Sequence, residues 1–456
     1  MSTRKSSNLP HGWTASNLES VVTFFAGGTS FLKSEYVPTG TPVLTKGDVK
    51  PFGRIEHSGR FVDTGHAIAE RYRFTEPGDL LVTTRDLTTA ADFLGLVAPV
   101  PPDKKYLVNQ GANVFRLDGD LVDSRYFVYW TCEYEYRDYI KSAVSGSTQV
   151  HIRKADWLNA PLNLPSMEVQ KQIAKVLGGL DDKIELNRRM NETLEAMARA
   201  IFQSWFVDFD PVRAKASGES ADSICQRLGL TPELLALFPN SFEDSELGEI
   251  PNGWAVTTLQ SMTSKIGSGA TPRGGREVYI EEGTSLIRSQ NVYDSNFVWG
   301  GLARITDEAA KQLSGVEVKK GDVLINITGA SILRTCVVDP HVLPARVNQH
   351  VAIIRAKLSF VSRYIHLHLL KASTKAHLMG LNAGASREAI TKGHLESLPI
   401  IQPREELLEC FGNAVAAIYA EVDELNNQKQ TLEKIRDALL PKLLSGELEV
   451  READAV

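Results

Sequence analysis

The sequence predicts an α+β protein built twice: two similar strand-rich domains in a pseudo-two-fold arrangement, joined by two long antiparallel coiled-coil helices. Three observations predict it. The chain of 456 residues repeats itself at an offset of roughly 240, an apolar seam of 3.5-residue period follows each copy, and each copy alternates short apolar runs with turn residues. A repeat this long is a duplicated domain, since solenoid units usually recur every 20 to 50 residues or so.

The first domain is expected at 1–165. It opens on Leu9-Pro10-His11-Gly12-Trp13, matched in the second copy by Ile250-Pro251-Asn252-Gly253-Trp254. A glycine-rich turn follows in both, Ala26-Gly27-Gly28-Thr29-Ser30 against Gly267-Ser268-Gly269-Ala270-Thr271. Gly78-Asp79-Leu80-Leu81 then pairs with Gly321-Asp322-Val323-Leu324, and Val108-Asn109-Gln110 with Val347-Asn348-Gln349. Order and spacing persist through Ser124-Arg125-Tyr126 and Ser362-Arg363-Tyr364 to Pro161 and Pro165, which fall on Pro399 and Pro403. Strands are predicted at Thr41–Leu44, Asp79–Thr84 and Asn113–Leu117, and in the second domain (250–403) at Ser285–Arg288, Asp322–Asn326 and Val351–Arg355. Helical stretches follow near Tyr126–Ser142 and Arg363–Met379, so each domain reads as α+β with a mixed or antiparallel sheet.

A first long helix is expected over 166–209. Its apolar positions are Ile173, Leu177, Leu180, Ile184, Leu194, Ala198, Ile201 and Trp205, with Asn187 and Asn191 filling the two missing steps. At 1.5 Å per residue the seam is about 58 Å long. The second helix, over 404–447, supplies Phe411, Val415, Ile418, Val422, Leu425, Lys429, Leu432, Arg436, Leu439 and Leu443. A polar residue near the middle of each seam costs stability but fixes register and pairing. Ser166 reads as the cap of the first helix and Pro403 as a first helical position of the second, while Pro441 should end or kink the second at about Leu440. Pairing the two within one chain relates the halves by a pseudo-two-fold axis; an intermolecular coiled coil is the alternative. Residues 210–249 read as a partly ordered crossover linker with a capped short helix at Thr231–Phe238, and 448–456 as a tail.

Composition bounds the function. No stretch nears the ~18 consecutive apolar residues of a membrane span, and Met1–Pro10 is polar, so a cytoplasmic protein without a membrane partner is expected. Cys132, Cys225, Cys336 and Cys410 are isolated, which argues against a disulfide framework or a zinc site. His366 and His368, two apart in a helix, face different ways and have no acidic cluster beside them, so no metal is assigned. The net charge of -6 conceals an asymmetry: 1–165 is neutral, 250–403 carries an excess of six positive charges, and the helix and linker segments are acidic. Different parts should therefore meet different partners, although charge alone also fits a solvated mixed-charge surface.

One stretch carries a specific resemblance. Leu164-Pro165 through Gln170-Lys171-Gln172-Ile173-Ala174, then Leu180-Asp181-Asp182-Lys183-Ile184-Glu185-Leu186-Asn187-Arg188-Arg189-Met190-Asn191-Glu192-Thr193-Leu194-Glu195-Ala196-Met197, and finally Phe202-Gln203-Ser204-Trp205-Phe206-Val207-Asp208-Phe209, closely resembles the central helix of the specificity subunits of type I restriction–modification systems. The resemblance covers the whole architecture. It departs where an acidic-Gln pair is usual before the second helix: Arg404-Glu405-Glu406 stands there, and that helix matches loosely.

The resemblance implies a non-catalytic, sequence-specific DNA-binding scaffold whose two domains are target-recognition domains. Each would read one half of a bipartite, asymmetric site in double-stranded DNA, and the helix pair would fix the gap between halves. Two methyltransferase subunits would bind, one per half, with two motor–nuclease subunits in the full complex. S-adenosylmethionine and ATP with magnesium would belong to those partners. The chain itself shows no Asn-Pro-Pro-Tyr-type methylation motif, Walker phosphate loop or glycine-rich nucleotide fingerprint, so no catalytic or cofactor-binding residue is assigned. The alternative is a protein-interaction scaffold with duplicated binding domains.

Base-reading candidates are turn and strand-end residues, where Arg or Lys suits guanine and Asn or Gln suits adenine. In the first domain these are Lys46, Asp48, Lys50, Thr83, Thr84, Arg85, Gln110, Ser147, Thr148 and Gln149. In the second they are Arg273, Arg276, Arg288, Gln290, Asn291, Asn326, Thr328, Gln349, Ser386 and Arg387. Main-chain amides at Gly27, Gly28 and Gly269 are candidates for phosphate contact, because glycine permits close backbone approach.

Overall fold

The computed structural model describes residues 9–63, 65, 74–88, 90–146, 149–381 and 389–450. The chain divides into two compact units, one of 1–188 with 427–456 and the other of 189–426. Each is α+β, and the strand order of the first recurs in the second.

In the first unit an antiparallel sheet runs Val97–Pro99, Leu80–Thr83, Ala112–Leu117, Val22–Gly27. In the second the corresponding order is Thr335–Val337, Val323–Asn326, Val351–Ala356, Thr263–Ser268. A second, mixed sheet accompanies each. Leu107–Val108 pairs parallel with Thr41–Leu44 in one, and Ala345–Val347 parallel with Thr284–Ile287 in the other. The second unit adds an edge strand, Glu317–Val318. Thr14–Asn17 pairs with Pro161–Leu164, and Ala255–Thr258 with Pro399–Gln402, so in both copies the opening strand clamps the strand that leads into a long helix. Even an ion pair repeats: Arg116 with Asp79 at 2.6 Å, and Arg355 with Asp322 at 2.7 Å.

The apolar strand runs supply both cores. Trp157 is fully buried in the first unit, lies 5.0 Å from Phe115, and donates its indole N–H to the Tyr136 hydroxyl at 2.9 Å. In the second, Phe206 meets Phe411 and Tyr364 edge-on, each at 5.0 Å, and Trp205 meets Phe238 at 5.5 Å. Such edge-to-face pairs add to what area burial alone provides.

The long helices are Met167–Phe206 and Glu405–Leu444. Ser166 caps the first, its Oγ accepting from Val169 N at 3.4 Å. Within the first unit, Ile173 and Leu177 of one helix share a core with Leu440, Leu443 and Leu444 of the other. Arg436 is buried there and donates to Asp181 at 2.8 Å. Asn187 Nδ2 donates to Gln428 Oε1 at 3.4 Å. Within the second unit, Asn191 Nδ2 donates to Asn426 Oδ1 at 2.9 Å, and Ala198, Phe202 and Trp205 pack with Phe411 and Val415. In each unit rising numbers on one helix meet falling numbers on the other, as an antiparallel pair requires. Leu180, Leu194, Ile201, Ile418, Leu432 and Leu439 are half-buried; Ile184, Val422 and Leu425 are buried.

Several local expectations are corrected. Pro441 does not end the second helix at Leu440: it continues to Leu444, since one missing N–H this near the terminus removes a single bond. Pro403 precedes that helix, whose first residue is Glu405, with the Arg404 carbonyl accepting from Leu407 and Leu408. The Tyr126–Ser142 stretch is two helices, Ser124–Trp130 and Tyr134–Ser142, the second started by the Glu133 carboxylate on Glu135 N. Arg363–Met379 likewise divides into Ser362–Leu370 and Ala372–Leu381. The segment at 210–249 is more ordered than the partly ordered linker with one short helix that its sequence predicts. It forms helices Asp210–Ala216, Ala221–Leu228 and Pro232–Ala236, the last capped by Thr231, and then a hairpin, with Ile224, Leu235 and Phe238 in the core.

Gly269 shows how tightly these sheets are joined. A Cβ there would sit 1.7 Å from Val347 O, whereas one on Gly267 would meet nothing within 4 Å. Gly269→Ala should therefore lower the urea stability of the second unit by about 2 kcal/mol or more, with Gly267→Ala a near-neutral control; equal midpoints for the two variants would refute the packing argument.

Candidate nucleic-acid interface

In each unit the ends of several strands converge, and most of the polar side chains singled out from the sequence lie there. In the first unit Gly27 ends the Val22–Gly27 strand, Lys46 follows Thr41–Leu44, Arg85 follows Leu80–Thr83, and Gln110 follows Leu107–Val108. Backbone bonds tie these ends together: Gln110 N donates to Thr29 O at 2.8 Å, Asn109 N to Leu44 O at 2.8 Å, and Thr84 N to Gly111 O at 2.8 Å. Gln149 joins them because Val150–His151 pairs with Arg85–Asp86.

Lys46 and Arg85 flank Gly111, whose added Cβ would lie 3.3 Å from Lys46 Cδ and 3.4 Å from Arg85 Cβ. Partial burial pushes the Lys46 ammonium below its usual pKa; Asp86 opposes that shift and the Arg85 charge adds to it. Burial raises the Asp86 carboxyl, yet hydrogen bonds from Thr88 N at 3.0 Å, Phe93 N at 3.0 Å and Thr88 Oγ1 at 3.1 Å outweigh it and leave the group below the ordinary carboxylate range. Those bonds hold the 86–93 loop against the strand that carries Arg85.

Other candidates prove to be internal supports. Asp48 is fully buried, its carboxylate accepting from Thr45 N, Thr45 Oγ1 and Ser58 N. Asn291 holds the equivalent place, with Oδ1 accepting from Arg288 N at 3.0 Å and Nδ2 donating to Val298 O at 2.8 Å. Thr83 and Asn326, equivalent again, are both fully buried: Thr83 donates to Phe93 O, and Asn326 donates to Ser289 O, Val292 O and Ser331 Oγ. Thr84 is buried and accepts from Asn113 Nδ2. Lys50 donates to Gly47 O and pairs with Glu56. Arg288 and Gln290 both donate to Gly301 O, which folds the 298–301 turn. Gly28 and Gly269 permit close approach to the protein's own backbone rather than to a phosphate, since a Cβ on Gly28 would lie 2.3 Å from Asn109 O and the Gly269 amide is already bonded to Asn348 O. Ser147, Thr148, Ser386 and Arg387 lie outside the described residues.

The second unit keeps Arg273, Arg276 and Gln349 exposed. Gln349 belongs to a polar chain: Thr271 Oγ1 donates to Gln349 Oε1 at 2.8 Å, Gln349 Nε2 faces His350 Nε2 at 3.0 Å, and His350 Nδ1 meets Thr328 Oγ1 at 2.6 Å. Thr271 and His350 were not among the sequence candidates. Their signal was adjacency, one closing the glycine-rich turn and the other following the repeated Val-Asn-Gln. His366 and His368 are core residues, and His366 contacts Thr335 O. Among the described residues no cluster of His, Cys, Asp or Glu could hold a metal ion.

Residues 10–196 match the sequence model of the type I restriction modification DNA specificity domain. The chain is 28% identical over 320 residues to the HindI specificity subunit of Haemophilus influenzae, covering 63% of this chain and 69% of that protein. It is 27% identical to the MjaIX specificity subunit of Methanocaldococcus jannaschii, covering 97% of this chain and 95% of that one. Its fold is similar to the crystal structure of a type I restriction–modification S subunit from M. genitalium, with a TM-score of 0.56 at 16% identity over 97% of this chain and 99% of that one.

Because the folded state holds the Asp86 proton more weakly than the unfolded chain does, the stabilisation it gives is present above about pH 4 and fades as pH falls through its lowered folded pKa. Asp86→Asn should cost about 1–2 kcal/mol at pH 7 in urea unfolding, with the gap to the parent closing below about pH 4; a gap that stays constant with pH would show that the carboxylate charge is not what holds the loop.

Proposed function

We propose that the chain is a non-catalytic specificity subunit of the type I restriction–modification class, and that its two units each read one half of a bipartite, asymmetric site in double-stranded DNA. The observation that supports this division of labour is the strand-for-strand repetition, which places unlike polar groups on like strand ends. Lys46 and Arg85 dominate the first set, suited to phosphate or guanine; Gln349, Arg273 and Arg276 make up the second. Two similar frames with different side chains fit two different half-sites.

Partner subunits complete the activity. The first long helix leaves apolar side chains in solvent in both units, Val176 and Leu186 in one and Met190 and Met197 in the other. Exposed apolar side chains on a helix suit protein docking, and we assign this face to methyltransferase subunits, one per half, joined in the full complex by motor–nuclease subunits. Methyl transfer from S-adenosylmethionine and any ATP-driven step then belong to those partners. No helix among the described residues is long and apolar enough to cross a membrane, and the cytoplasm, where the DNA lies, is the proposed location.

Co-expression with its methyltransferase followed by genome-wide mapping of methylated adenines tests the assignment. A two-part motif with a fixed gap is expected, and binding to duplexes carrying it should weaken steeply with salt. Methylation without such a motif, or binding indifferent to scrambling of either half, would leave the protein-scaffold alternative standing.

A further inference from the structure

The geometry points to Gln349 as an adenine-reading side chain of the second half-site, held in position by Thr271 and His350; this deepens the DNA-reading assignment above and rests on it. A primary amide has two N–H donors and two lone pairs on its oxygen. Thr271 takes one lone pair at 2.8 Å and the His350 ring takes one N–H at 3.0 Å. What remains is one donor and one acceptor on an exposed side chain. Reversing the amide leaves the same remainder, with Thr271 accepting and the ring nitrogen donating.

A paired donor and acceptor is the pattern that adenine complements in the major groove, its N7 accepting and its N6 amino group donating. Guanine offers two acceptors there, so the fixed amide discriminates against it. A free glutamine gives up side-chain entropy on contact, whereas this one is already ordered by two bonds. His350 is in turn anchored by Thr328 through its other nitrogen at 2.6 Å, and its backbone N–H donates to Asn348 Oδ1 at 3.0 Å. In the first unit Gln110 occupies the equivalent place, and Gly111 stands where His350 does. Thr271 and His350 are thus positioning residues that act through Gln349.

Selection of bound duplexes from a randomised library, using the chain assembled with its methyltransferase, provides the test. The parent complex should yield a two-part motif with an adenine in the half assigned to the second unit. Gln349→Ala should flatten the preference at that one position, a loss of about tenfold or more in discrimination, and Gln349→Arg should move it toward guanine. Thr271→Val or His350→Ala should weaken the same position, and Thr271→Ser should restore it, which a purely structural role for the threonine would not require. The unchanged first half-site reports that each variant is folded. If a two-part motif appears but all Gln349 variants retain it intact, the inference fails while the specificity assignment stands; if no two-part motif appears even for the parent, both fail.

Discussion

Each unit of this protein is closed by pieces of two helices that lie far apart in sequence, and that antiparallel closure is the constraint on which the rest depends. An isolated helix of forty residues gains little from propensity and needs an apolar face to be covered. Here the cover comes from the other helix and from the domain beside it. Leu440, Leu443 and Leu444 complete the core that contains Trp157, and Phe202, Trp205 and Phe206 complete the one that contains Tyr364. Neither domain core is whole without helix residues drawn from beyond its own sequence span.

Polar groups within the seams set the register. Arg436 is buried against Asp181 and lies 3.4 Å over the Phe52 ring, so a cation is desolvated only where a carboxylate and an aromatic face await it. In the second unit Arg363 stacks 3.5 Å over Tyr419. The carbonyl oxygens of Asn187 and Asn191 are buried without a protein partner, a cost that an all-leucine seam would avoid. Polar residues at such positions exclude slipped pairings, which would strand the same groups against hydrocarbon.

Rigid cores leave variation to the strand ends. The two units share strand order, the Arg–Asp pairs that brace their sheets, and the turn built by Asp48 or Asn291, yet they present different groups to solvent. Lys46 and Arg85 crowd one end with positive charge; the other offers an ordered amide beside exposed arginines. In the proposed function, this separation of frame from surface lets one duplicated fold address two unlike sequences.

Much of this was legible in the sequence because periodicity is a one-dimensional signal. The repeat offset, the 3.5-residue seam with Asn187 and Asn191 at its middle, and the apolar strand runs all follow from spacing alone, and the helix motif carried the resemblance to a family. The candidate site was legible only in part. Turn chemistry selects the same residues that base reading does, and a sequence cannot say whether Asp48, Asn291, Thr83 or Asn326 bonds inward or outward; burial made them supports. Nor could spacing show that 210–249 folds into a core, because short helices with two or three apolar residues each have no period to detect. The sequence by itself determined the duplication, the seams and the resemblance to a family. Tertiary structure alone decided which helix halves close which domain and which polar groups are buried as supports, because both depend on neighbours brought together from distant parts of the chain.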